Sequence, residues 1–125
     1  MDINDLTYRI RGCVFNVYNA LGPGLLESVY EQAMMIELKK SGLQAKNQVP
    51  VKIVYNGQQL DNDLRVDILV EDSIVLELKS VEKLNPIHFK QLQTFLKLAD
   101  KRLGLLINFN EFNIANGIHR IANKL

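Results

Sequence analysis

RVDILVEDSIVLELK, residues 65–79, reads as two short strands joined by a tight turn at Glu71-Asp72-Ser73. Side chains alternate across a strand, so Ile74, Leu76 and Leu78 share one face of the second strand while Glu77 and Lys79 share the other. On the first strand Asp67 points opposite to Val66 and Ile68. The turn makes the two strands antiparallel neighbours and leaves Asp67 and Glu77 at comparable distances from it. The two carboxylates are therefore expected on the same side of a sheet, within reach of each other. Carboxylates that close repel, and one takes up a proton unless a cation sits between them. A divalent ion that prefers oxygen, Mg²⁺ or Mn²⁺, resolves the conflict. Mg²⁺ keeps several of its waters, and one of them, made more acidic by the ion, can attack a phosphodiester. Lys79 beside it would stabilise the developing negative charge or position that water. A Glu-x-Lys strand end that simply faces solvent is the plainer reading, and the Asp on the paired strand weighs against it.

Working outward, Ile3, Leu6, Ile10, Cys13, Val14, Val17 and Leu21 recur at steps of three and four, which predicts an amphipathic helix. LGPG (21–24) ends it, and a second helix is expected from about Leu25 to Lys40, stopped by Gly42. The period then changes to two. Val49, Val51, Ile53 and Tyr55 alternate with polar residues, YNGQ (55–58) suits a hairpin turn, and a return strand is expected from about Asp63 to Val70. After the strand Ile74–Lys79, Asn85 caps a helix with Pro86 in its first turn, reaching about Ala99. LGLLINF (103–109) is a continuous apolar run, expected of a strand buried on both faces. Residues 117–123 form either a last strand or a turn of helix. Helix, helix, a three-strand meander, helix, strand implies one α/β domain over residues 1–125: a mixed sheet with flanking helices and the helix of residues 1–21 packed on it.

The 125 residues fit a single core, and a net charge of +1 argues against a protein that coats nucleic acid indiscriminately. No apolar run is long enough to span a bilayer, and MDINDLTYRIRG lacks the pattern of a secretory signal. The single cysteine, Cys13, excludes an intrachain disulfide and fits a reducing, cytoplasmic setting; it lies in the apolar pattern of the first helix and is read as core. Lys83, Lys90 and Lys97 stand seven apart, with no acid between Lys83 and Ala99. Such a stripe either contacts phosphates or is a solvated helix face. Arg65, on Asp67's face of its strand, either touches substrate or neutralises the acidic cluster.

The strand–turn–strand with Asp67, Glu77 and Lys79 resembles the core of the PD-(D/E)xK nuclease superfamily, with Val66 where the name of the motif has Pro. A narrower resemblance, carried in order by LGPG, GLLESVY (24–30), PVKIVYNG, RVDILV, ELKSVEKLNPIHFKQLQTFLKL and GLLINFN, is to the GxxExxY protein family. The resemblance implies a restriction-endonuclease-like fold and a metal site in which Glu27 joins Asp67, Glu77 and the backbone carbonyl of Leu78. Tyr30, one turn from Glu27, either orients it or belongs to the core. Gln91 matches a glutamine that RecB-like members carry as Q-x-x-x-Y; Phe95 stands in the tyrosine's place and brings no hydroxyl. His88, one turn earlier, faces the same cleft or the surface, and His119 stands alone.

The leading expectation is a Mg²⁺-dependent (or Mn²⁺-dependent) nuclease acting on DNA or RNA, with Lys79, Asp67 and Glu77 catalytic and Gln91, Arg65, Lys90 and His88 toward the substrate. The alternative is a catalytically inactive nucleic-acid- or protein-binding module on the same fold. A third expectation is an adaptor or homodimer, paired through exposed apolar residues around FNEFNIANGI (109–118).

Overall fold

The computed structural model describes residues 1–124. α1 (Ile3–Leu21) starts at Asp2, whose carboxylate accepts the N–H of Asn4. It buries Leu6, Ile10, Cys13, Val14 and Val17, the stripe read from the sequence. α2 (Glu27–Lys40) begins two residues later than expected, after the extended Leu26, and buries Tyr30, Met34 and Leu38 at steps of four. Gly42 follows with φ +76, a left-handed turn that a side chain would strain.

Five strands follow before the next helix, not three. β1 (Ala45–Pro50) begins earlier than the alternation of Val49 suggested, and ends at Pro50, which has no N–H to give a ladder. The YNGQ turn is present, but it closes a separate two-stranded ribbon, β2 (Val54–Tyr55) with β3 (Gln58–Gln59). The main return strand is shorter than expected, β4 (Arg65–Val70). It pairs with β1 and, through the Glu71–Ser73 turn, with β5 (Ile74–Lys79). Glu71 and Asp72 both adopt left-handed φ there, which tightens the hairpin.

α3 (Pro86–Ala99) crosses over to β6 (Leu103–Asn108), which runs parallel to β5. Every residue of β6 is buried, as the unbroken apolar run required. A short 3₁₀ turn (Ile114–Gly117) leads into β7 (Ile118–Ala122), so the C-terminal segment is a strand, antiparallel to β6. The sheet order is β1-β4-β5-β6-β7.

The sheet separates two cores. On one face α1 and α2 cover Ile68, Val70, Ile74, Leu76, Leu78, Leu103, Leu105 and Ile107. On the other, Leu92, Phe95 and Leu96 of α3 cover Leu69, Val75 and Leu106. Each fully buried aliphatic or aromatic side chain contributes about 1.5–3 kcal/mol. The apolar residues of FNEFNIANGI are mostly consumed here: Phe109 and Ile114 are core, and Phe112 alone, 98% exposed, projects outward. The docking surface expected from that stretch is thereby reduced to one ring. Among the described residues no helix is long and apolar enough to cross a membrane.

Candidate active site

The two ladders flanking Asp67 both break at its position. On the β1 side, Asn47 pairs with Ile68 and Val49 with Val66, which places Gln48 opposite Asp67. Gln48 is left-handed, with φ +52, and contributes no regular pairing. On the β5 side the register runs Val70–Ile74, Leu69–Val75, Ile68–Leu76 and stops, one step short of Asp67 and Glu77. Strict alternation fails here too: Val66 joins the core under α3, whereas Ile68 joins the core under α1 and α2. The strand therefore rotates at Asp67, a turn that the period-two reading of the sequence does not capture.

Side chains fill the gap that the ladder leaves. The N–H of Asp67 donates to Glu77 Oε1 at 3.0 Å, and the N–H of Leu78 donates to Asp67 Oδ2 at 2.7 Å. Each carboxylate thus satisfies a backbone donor of the opposite strand. Glu77 is 7% exposed, and Asp67 is half-buried. Burial pushes the Glu77 carboxyl up to about 8, and the Asp67 charge adds to the rise. Burial also raises Asp67, while the Leu78 N–H and the Lys79 ammonium pull it down. Lys79, at the end of β5, acts on both carboxyls in the same downward sense.

Glu27 stands in the first turn of α2, exposed, and close enough for its charge to raise both Asp67 and Glu77. Among the described residues no three His, Cys, Asp or Glu side chains are gathered into a set that would hold a metal ion. The structure brings Asp67 and Glu77 together, and leaves Glu27 at the rim of the pair. The donor set still suits a hard cation: hydrogen-bonded carboxylate oxygens, desolvated and short of positive charge.

The other expected residues are distributed as follows. Tyr30 is fully buried and stacks on Phe109 with ring centroids 4.3 Å apart. Its hydroxyl donates to the Gly22 carbonyl and accepts the Leu25 N–H. It is core, and its hydroxyl bonds the loop that leads into Glu27, not Glu27 itself. Tyr30→Phe is expected to lower unfolding free energy in urea by about 1 kcal/mol; an unchanged midpoint would show that these bonds contribute nothing. Arg65 donates to the Gln48 carbonyl, which braces the left-handed residue facing Asp67. His88 Nδ1 accepts the Asn85 N–H, capping α3. Gln91 and Lys90 are exposed on α3, and Phe95 is buried beneath them.

Two site residues escape the sequence reading. Glu31 is the acid on α2 whose charge weighs most on Asp67, and its carboxylate accepts from the side chains of Asn47 and Gln48. Its spacing of four from Glu27 was the available signal. Asn108, 1% exposed, accepts the Val81 N–H and donates to the Val81 carbonyl. With Phe109 N–H on the Lys79 carbonyl and Ser80 Oγ on the Leu25 carbonyl, it fixes the backbone just after Lys79. Only a polar residue closing an apolar run hinted at that role.

A family model described as the PD-(D/E)XK nuclease superfamily matches residues 4–121. Comparison with curated proteins and with solved structures gives no match. PD-(D/E)XK nucleases generally use divalent metals, which agrees with the oxygen-rich pair between β4 and β5. The match spans both carboxylates, Lys79 and the helices on either side of the sheet, so this chain belongs to the PD-(D/E)XK nuclease superfamily.

Proposed function

We propose that the chain is a Mg²⁺-dependent nuclease that hydrolyses phosphodiester bonds of DNA or RNA. The observation that carries this reading is the buried Asp67–Glu77 pair, bonded reciprocally across a parted ladder, with Lys79 beside it. Asp67 and Glu77 would hold the ion, with Glu27 closing in from α2. Leu78 is suited to add its carbonyl: its N–H points toward Asp67, and in an extended strand a residue's N–H and C=O face the same edge. When bound, such an ion supplies charge neutralisation and a water acidified for attack on phosphorus. Lys79 places a positive charge where negative charge accumulates on the phosphoryl oxygens. Tyr30, Asn108 and Ser80 keep the loop before Glu27 and the segment after Lys79 in fixed positions. The narrower likeness to the GxxExxY family is supported by Glu27 beside the carboxylate pair and by Tyr30 bonding the loop that leads into it.

The test is incubation of purified protein with single- and double-stranded DNA and RNA in Mg²⁺ or Mn²⁺. Wild type is expected to cleave, and Asp67→Asn and a chelator are each expected to reduce cleavage at least about a hundredfold. Equal rates for wild type and Asp67→Asn would remove the basis of the reading. A second reading, a binding module without cleavage, is favoured by the incomplete triad and by Phe95 in place of a hydroxyl-bearing ring. Calorimetry separates the two: a divalent ion binding wild type and not Asp67→Asn supports the nuclease. Nucleic-acid affinity without metal binding supports the module.

A further inference from the structure

A second feature lies beside α3 and has no part in the carboxylate pair. A groove of about 770 Å³ runs between the first half of α3 and β7. Leu84, Phe89 and Ile121 form its apolar floor, packed against the core under α3. His119 meets the Phe89 ring edge-on at 5.1 Å and steadies it. Lys83 and Lys90 border the groove, both exposed. Among the described residues the one salt bridge joins Lys101 to Asp72, so neither lysine is paired. Arg120 borders the groove through its chain, while its guanidinium turns to Asn4 of α1.

The two chain segments that form this groove are free of acidic residues. Segments 83–99 and 112–125 hold Lys83, Lys90, Lys97, Arg120 and Lys124, five of the chain's 15 basic residues and none of its 14 acidic ones. The remaining residues carry ten basic groups against all 14 acids. Along the chain the groove follows closely on the strand that carries Glu77 and Lys79. Lys83 lies four residues beyond Lys79, just past Val81, which Asn108 holds in place. Unpaired ammonium groups over an apolar, aromatic floor match the requirements of a single strand: phosphates outward to the lysines, sugar and base faces inward to the ring.

We propose that this groove carries a single nucleic-acid strand leading away from the Asp67–Glu77 cleft, with Lys83 and Lys90 on its phosphates and Phe89 beneath its bases. The proposal rests on the nuclease reading for what happens at the cleft, but the groove can be tested without turnover. The experiment is fluorescence anisotropy of a labelled 20-nucleotide single-stranded oligonucleotide, in EDTA, across a salt series, with wild type and Lys83→Gln/Lys90→Gln. Both lysines are exposed, and the far-ultraviolet spectrum checks that the double variant folds. The expected result is a roughly tenfold loss of affinity near 0.1 M salt, with the slope of log K against log salt reduced by about 1.4, the value for two phosphate contacts on a single strand. An unchanged slope, or a duplex bound more tightly than the single strand through the same lysines, overturns the proposal. The two failures are distinguishable: cleavage that needs Asp67 but binding that ignores the lysines defeats the groove alone. Lysine-dependent binding alongside cleavage indifferent to Asp67→Asn defeats the nuclease reading alone.

Discussion

Lys79→Met is expected to lower Mg²⁺-dependent cleavage by about 10²–10³-fold while leaving the affinity for substrate nearly unchanged. Lys79 is half-buried at the end of β5, and among the described residues it has no salt-bridge partner to hold it elsewhere. Its charge already favours the ionised forms of Asp67 and Glu77, so the ammonium stands near the place where the phosphoryl group would carry extra negative charge. An interaction that grows between ground state and transition state appears in kcat rather than KM. Methionine keeps the unbranched stem and its packing, so the substitution removes charge with little change of shape. The measurement is single-turnover cleavage at saturating substrate, with calorimetry of Mn²⁺ as the control. If the variant cleaves at the wild-type rate, Lys79 has no part in the chemistry.

The second large effect concerns the metal-free protein. Glu77 ionises near 8 in the fold, against 4.5 ordinarily, chiefly because it is buried and secondly because Asp67 is beside it. The folded state therefore holds a proton that the unfolded chain releases above 4.5. The stability that goes with this proton is fully present below pH 4.5 and is lost as pH rises through about 8. The loss across that window is about 4 kcal/mol. Asp67, raised for the same reason, changes stability in the same direction at the acid end. Urea unfolding in EDTA from pH 5 to pH 9 checks this. Glu77→Gln should flatten the profile, because the amide has no proton to lose. Mg²⁺ or Mn²⁺ should restore the wild type most strongly at the alkaline end, where the carboxylates bind metal without first releasing a proton. A metal-free profile that is level or rises with pH would contradict the burial of a charged Glu77.

What the sequence disclosed, and what it withheld, follows from the range of the interactions involved. Local signals gave the stripe of α1, the stop at Gly42, the cap of α3 and the fully buried β6, since periodicity, backbone freedom and apolar runs act within a few residues. Counting from a single turn was enough to bring Asp67 and Glu77 together. The rotation of β4 at Asp67 was not legible, because it depends on a left-handed Gln48 in a strand 19 residues away. The split of the Val49–Tyr55 stretch into β1 and a separate ribbon was hidden for a similar reason: alternation continues through Pro50, but the ladder does not. Asn108 and Glu31 gain their roles from the backbones and side chains they meet, at Val81, Asn47 and Gln48, and no local pattern names those partners. Glu27 was legible as a site residue only through family resemblance. The structure keeps it at the rim, near enough to act through its charge.

The proposed chemistry requires a hard divalent cation seated between β4 and β5. Anomalous diffraction from a crystal soaked in Mn²⁺ addresses this directly. One peak is expected beside the Asp67 and Glu77 carboxylates, with Glu27 drawn in from α2 and the Leu78 carbonyl turned toward it. No peak, with both carboxylates still bonded to the N–H groups of Leu78 and Asp67, would contradict the proposed chemistry.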